Sequence, residues 1–200
     1  IGLGIPAEPL FRSRDTTKWS RGMAPFGFGN NGRPMSKATT VLNKTEENGN
    51  SRPTYYFRKE FNVTPTDNDT YTLNFELDDG MIVYVNGQEA GRYHMPSGAK
   101  YADYVQDYYD NTYEGENPYQ GTMEIDRSLI RYGSNVITVE VHNCNNTSSD
   151  LWFDASLTVS RPREITEEPE YVSTDKEYIL PANGSHSLTA CYERLSDDEL

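Results

Sequence analysis

The sequence predicts an all-β, antiparallel sandwich, and three observations lead there. Apolar and polar residues alternate with a period of two in several short segments, as strands require when successive side chains point to opposite faces. The chain carries 15 Tyr together with 15 Gly and 11 Pro, a balance that favours half-buried pleated strands joined by turns. No 3.6-residue periodicity lasts beyond one turn, whereas strand-like segments recur every roughly 10 to 20 residues.

Each element can be justified in order. Residues 1–13, "IGLGIPAEPLFRS", are broken by Gly and Pro and read as an extended arm. The stretch "WSRGMAPFGFGNNG" is an aromatic, glycine-rich loop around Trp19, and 35–52 is polar and read as loop. "TYYFRKEFNV" (54–63) alternates and stops before Pro65, which makes it a strand. "TYTLNFEL" (70–77) puts Tyr71, Leu73, Phe75 and Leu77 on one face. "MIVYVNGQEAGRYHM" is a hairpin, because Asn86-Gly87 supplies the positive φ values of a type I′ turn. A long Tyr-rich insertion covers 101–119. "TMEIDRSLIRYGSNVITVEVHN" reads as strand, helical turn at Asp126–Leu129, then a second strand; "SSDLWFDASLTVS" closes the series. The sandwich is thus expected over 14–161. After it, 162–200 opens as a charged, Pro-punctuated linker and holds too little apolar area to fold alone.

Composition excludes several functions. A net charge of -13 opposes nucleic acid, whose phosphates need Lys and Arg, and opposes anionic membrane surfaces. No apolar run reaches the roughly 18 to 20 residues that span a bilayer. The chain opens on Ile1 instead of an initiator Met, which points to a removed leader or a longer parent. Six N-x-[ST] sequons occur, beginning at Asn43, Asn62, Asn68, Asn145, Asn146 and Asn183, where chance gives about three. That excess tilts the reading toward a secreted, glycosylated protein, although Thr-rich strands produce sequons incidentally.

Four ordered stretches, "WSRGMAPFGFGN", "RPTYYFRKEFNV", "LDDGMIVYVNGQEAGRYHMPSG" and "GSNVITVEVHNCNNTSSDLWFDASLTV", resemble the galactose-binding-like jelly-roll modules of secreted bacterial proteins, often found beside calcineurin-like phosphoesterase or spore-coat-H-type modules. The resemblance covers about 18–160. It implies a jelly-roll sandwich and a non-catalytic accessory domain, and it names no ligand. The 101–119 insertion, the arm and the tail depart from it.

The remaining candidates are weighed on that basis. Asp78 and Asp79 fall in "LDDG", where Asp-Gly makes a tight turn; metal ligation and direct ligand contact are the other readings. Sandwiches of this type often carry a structural calcium, so the resemblance offers Asp78, Asp79, Asp150 and Asp154 as oxygen ligands, against solvated acidic loops. The insertion holds six Tyr and five Asp or Glu with no Lys or Arg. Tyr presents a flat apolar face and a hydroxyl to a sugar ring, so Tyr101, Tyr104, Tyr108, Tyr109 and Tyr113, with Trp19, are the expected glycan contacts. Local packing and a protein interface are the alternatives. Catalysis is not expected: His94, His142 and His186 are scattered, with no paired-ligand, GxSxG or phosphate-loop motif. Cys144 and Cys191 are expected to form a disulfide stapling the tail to the sandwich, against two separate thiols. The leading function is a non-catalytic extracellular carbohydrate-binding or adhesive module. The alternative is a structural subunit of a surface assembly, a homo-oligomer or filament joined through arm and tail.

Overall fold

The strand that begins at Thr54 shows how alternation becomes architecture. Tyr55 and Phe57 are buried against the core, while Tyr56 and Arg58 point the other way and are half-buried. The computed structural model describes residues 19–29, 37–109 and 117–162. Their strands are β1 (Phe26–Phe28), β2 (Thr40–Val41), β3 (Thr54–Val63), β4 (Thr70–Asp78), β5 (Gly80–Val85), β6 (Gln88–Tyr93), β7 (Tyr119–Ile125), β8 (Gly133–His142) and β9 (Leu151–Ser160). One sheet runs β2-β1-β9-β4-β7 and the other β3-β8-β5-β6. Every pairing is antiparallel except β1 with β2. The chain is therefore an all-β sandwich.

The two sheets bury one core between them. Tyr71, Leu73 and Leu77 of β4 and Phe153 of β9 meet Val83 of β5 and Val139 and Val141 of β8, all fully buried. Phe57 rests on Phe153 and Phe26, with ring centroids 4.6 and 5.1 Å away. Each such ring or branched chain contributes roughly 1.5–3 kcal/mol by leaving water. The β5–β6 turn has φ of 51° at Asn86 and 81° at Gly87, as the Asn-Gly pair requires. The Asn86 amide also donates to Leu129 O and Asn135 Oδ1, both at 2.8 Å, which fixes the hairpin to the β7–β8 connection.

One expectation is completed and another changes. The Asp78-Asp79 turn joins strands of different sheets: β4 lies between β9 and β7 in one, and β5 lies between β8 and β6 in the other. The acidic pair is the corner where the chain crosses from sheet to sheet, and its peptide is cis. The stretches read as loop around 26–28 and 40–41 are the strands β1 and β2. Three residues and two residues are too short for alternation to show. β1 lies so close to β9 that a Cβ on Gly27 would sit 2.2 Å from Leu151 O.

A clasp holds the end of β9. Arg161 grips the buried Asp69 carboxylate through Nε and Nη2 at 2.7 and 2.8 Å, and donates to Thr64 O at 2.9 Å. The arm 1–13 and the tail from 163 onward lie outside the described residues, as does the expected partner cysteine, Cys191.

Candidate ligand-binding site

The Tyr-rich loop is held against the outer face of the four-stranded sheet. A 3-10 turn, Val105–Asp107, drives the fully buried Val105 into a small cluster with Ile82, Met95 and Ala99. Beside it, Thr54 Oγ1 donates to Tyr101 O at 2.7 Å. The buried His142 places Nδ1 2.9 Å from Asp103 O and 3.0 Å from Thr54 Oγ1. Both neighbours fix the tautomer, because the Asp103 carbonyl only accepts and the Thr54 proton is already committed to Tyr101 O. Nδ1 therefore carries the hydrogen, and Nε2 faces Glu140 Oε2 at 3.4 Å. This set looks like a hydroxyl–imidazole–carboxylate relay, but His142 cannot take a proton from Thr54 in this arrangement. Its role is to fasten the loop.

Anchored this way, Tyr101 stands at the rim of a groove. Its ring stacks on Tyr56, with centroids 6.2 Å apart and planes 21° from parallel. Its hydroxyl donates to Glu46, and burial together with that bond pushes it up to about 12, so it stays protonated. The groove has about 450 Å³ of space and wraps the free edge of β3 where the β1–β2 edge stands beside it. Trp19, Tyr56 and Tyr101 supply its aromatic faces, and Arg21, Arg52 and Asn43 supply its polar groups. Arg52 also lies over the Tyr55 ring at 5.8 Å.

The predicted aromatic residues thus divide. Trp19 and Tyr101 share the groove. Tyr104 is half-buried, and its backbone N–H donates to Asp107 at 2.7 Å. Tyr108 is exposed, with its hydroxyl on Asp103 at 2.9 Å. Tyr109 stacks on His94 at 5.4 Å, within a column that continues through Tyr93 to Tyr119. Tyr113 lies outside the described residues. Tyr56 and the arginines were missed, although the alternation of β3 points Tyr56 outward.

The predicted carboxylates also divide. Asp78 and Asp79 are both buried at the corner and bonded to each other, with Asp150 and Cys144 near enough to act on them electrostatically. Burial first, then the Asp78 charge, pushes the Asp79 carboxyl up to about 9, so it holds a proton at neutral pH. Asp79 Oδ2 is buried without a hydrogen-bond partner. Asp154 stands elsewhere, opposite Glu76 on the outer face of the five-stranded sheet, in a second groove with Asn74 and Gln120. Among the described residues no three carboxylate, histidine or cysteine side chains are disposed to hold a metal ion. Cys144 is half-buried with no disulfide partner among the described residues, and burial followed by the Asp79 charge pushes its thiol up to about 11. Asn43, Asn62, Asn68 and Asn146 are exposed; Asn145 is half-buried and accepts from the Thr147 amide at 2.9 Å; Asn183 lies outside the described residues.

No family model matches the chain, and no curated protein matches it. Solved structures show similarity over part of it. An α-L-rhamnosidase from Aspergillus terreus is 22% identical with a TM-score of 0.37, over 58% of this chain and 13% of that one. An α-L-rhamnosidase from Streptomyces avermitilis, complexed with L-rhamnose, is 18% identical with a TM-score of 0.37, over 66% and 13%. A β-glycosidase from Bacteroides vulgatus is 17% identical with a TM-score of 0.34, over 71% and 20%. The chain thus matches a fifth or less of the length of these glycosidases. Among the described residues no helix is long and apolar enough to cross a membrane.

Proposed function

We propose that the chain is a non-catalytic carbohydrate-binding module of the galactose-binding-like, jelly-roll kind, and that it holds a sugar in the groove of Trp19, Tyr56 and Tyr101. The observation behind this reading is the convergence of three aromatic rings with amide and guanidinium groups in one recess. Sugar rings offer C–H faces to aromatic surfaces and hydroxyls to polar groups at their rim, and a recess of this size accepts one or two residues. The two stacked tyrosines are set by the folded loop beneath them, so little ordering is required on binding.

The non-catalytic part of the reading rests on chemistry. The described lining holds no carboxylate, histidine or cysteine, and its one hydroxyl next to an imidazole, Thr54, gives its proton away from that ring. Binding without turnover is what these groups can do. Retention on a glycan array or an immobilised polysaccharide tests the reading. Trp19→Ala with Tyr101→Ala should lose at least about tenfold in affinity, given stacking worth roughly 1 kcal/mol or more per ring. A folded protein that retains no glycan, or one whose binding survives both substitutions, defeats it.

A further inference from the structure

We infer that this groove selects anionic glycans, those bearing a carboxylate or a sulfate, through Arg52; the inference rests on the groove being the binding site. The chain as a whole carries 31 Asp and Glu against 18 Lys and Arg. The groove reverses that balance, since among its described lining residues the only charged ones are the two arginines. The second groove, across the molecule's other sheet, is lined by Glu76 and Asp154 and by no cation. The surface is thus partitioned: positive charge is placed where the aromatic faces are, against a strongly negative background.

The state of Arg52 sharpens the point. Arg58, Arg92 and Arg161 each hold a carboxylate, on Glu60, Glu89 and Asp69. Arg52 is half-buried, yet the contacts of its guanidinium with the described residues are one long bond to Thr45 O, 3.4 Å, and the Tyr55 ring. A guanidinium has five N–H donors in a planar fork that matches a carboxylate or sulfate edge. Lying over the Tyr55 ring leaves most of that fork unused by the described residues. Glu46, at the groove's rim, has its carboxylate engaged by the Tyr101 hydroxyl and by Asn48 Nδ2. An anion on a sugar stacked between Trp19 and Tyr101 would complete Arg52, whereas a neutral sugar would leave it as it is. Partial burial strengthens such a contact relative to open water.

The test is a glycan array carrying uronate-containing, sulfated and neutral glycans, probed with the full chain. It is followed by titration with polygalacturonate and with its methyl-esterified, uncharged form. The inference expects the retained glycans to be anionic and polygalacturonate to bind at least about tenfold tighter than its ester. It also expects that preference to shrink between about 50 and 500 mM NaCl. Arg52→Ala should remove the preference, bringing polygalacturonate down to the affinity of its ester in the same variant; Trp19→Ala should weaken both polymers alike. Neutral glycans retained in a Trp19-dependent way overturn the charge selection and leave the groove standing as the site. Equal binding of polygalacturonate to wild type and Arg52→Ala also overturns the selection. Retention of nothing removes the binding site and the selection together.

Discussion

Replacing Asp79 by Asn should stabilise this protein at neutral pH, and by an amount that grows with pH. Asp79 is 5% exposed, its Oδ2 has no hydrogen-bond partner, and Asp78 lies against it. In the unfolded chain its carboxyl titrates near 3.9, and in the fold it is pushed up to about 9. A group whose folded pKa lies above its unfolded value stabilises fully below the unfolded pKa. It then loses that contribution as pH rises through the folded value. The window runs from about pH 4 to about pH 9. At pH 7 the folded state must retain a proton that the unfolded chain has released, which costs roughly 4 kcal/mol at about 1.4 kcal/mol per pH unit. That cost depends on the folded pKa only in requiring that it exceed 7. Asn is neutral, nearly isosteric and still donates to Asp78, so it removes the cost and keeps the bond. Urea titrations of wild type and Asp79→Asn at pH 5, 6, 7 and 8, followed by tryptophan fluorescence, measure the difference directly. The two stabilities should diverge by up to about 1.4 kcal/mol per pH unit, with the variant the more stable above pH 5. Parallel curves would show that Asp79 is ionised in the fold. A variant less stable throughout, beside a wild type weakened by a chelator, would show that the corner holds a cation and not a proton.

Three further outcomes follow from the packing. Arg161→Ala leaves the buried Asp69 carboxylate without its bidentate partner. Because Arg161 holds that carboxyl well below the usual carboxylate range, the Asp69 contribution is present above about pH 4 and lost as pH falls. The variant should therefore show a lower urea midpoint at pH 7 and a smaller loss on acidification. Val105→Ala empties a fully buried site under the loop and should cost about 2 kcal/mol. Amide exchange should then accelerate at Tyr108 and Tyr109, whose N–H groups bond Val105 O at 3.1 and 3.0 Å. Gly27→Ala sets a methyl 2.2 Å from a backbone oxygen of β9, so β1 must shift. Its calorimetric midpoint should drop well below that of the Gly98→Ala control, where open space surrounds the site but φ is +76°.

The fold was legible where strands are long enough to repeat. The ten residues of β3 and the nine of β4 show five and four full alternations, and Asn86-Gly87 states its turn outright. β1 and β2 were hidden because Phe-Gly-Phe and Thr-Val contain no period to read; β1 is fixed by the closeness of Gly27 to β9, a contact between residues far apart in sequence. The acidic corner was read as a turn without its place in the fold, for a related reason. Asp-Gly chemistry permits a hairpin turn, and only the pairing of β4 with β9 and of β5 with β8 shows that the chain changes sheets there. The site was half legible. Counting aromatic residues found Trp19 and Tyr101, but it grouped Tyr101 with Tyr109, which belongs to the separate column on His94. Arg52 and Tyr56 reach the groove from the β3 edge, and nothing local in "SRPTYYF" connects them to a loop some 45 residues away.

The central claim is that the recess of Trp19, Tyr56 and Tyr101 is where ligand binds. Chemical-shift mapping on isotopically labelled protein, titrated with whichever glycan the array retains most strongly, tests it most directly. The account predicts that the largest shifts fall on the Trp19 indole N–H, the Arg52 side chain and the backbone amides of Tyr56 and Tyr101, all saturating together. Shifts confined to Asn74, Gln120 and Asp154 on the opposite sheet, or to Tyr108 and Tyr109, would contradict it.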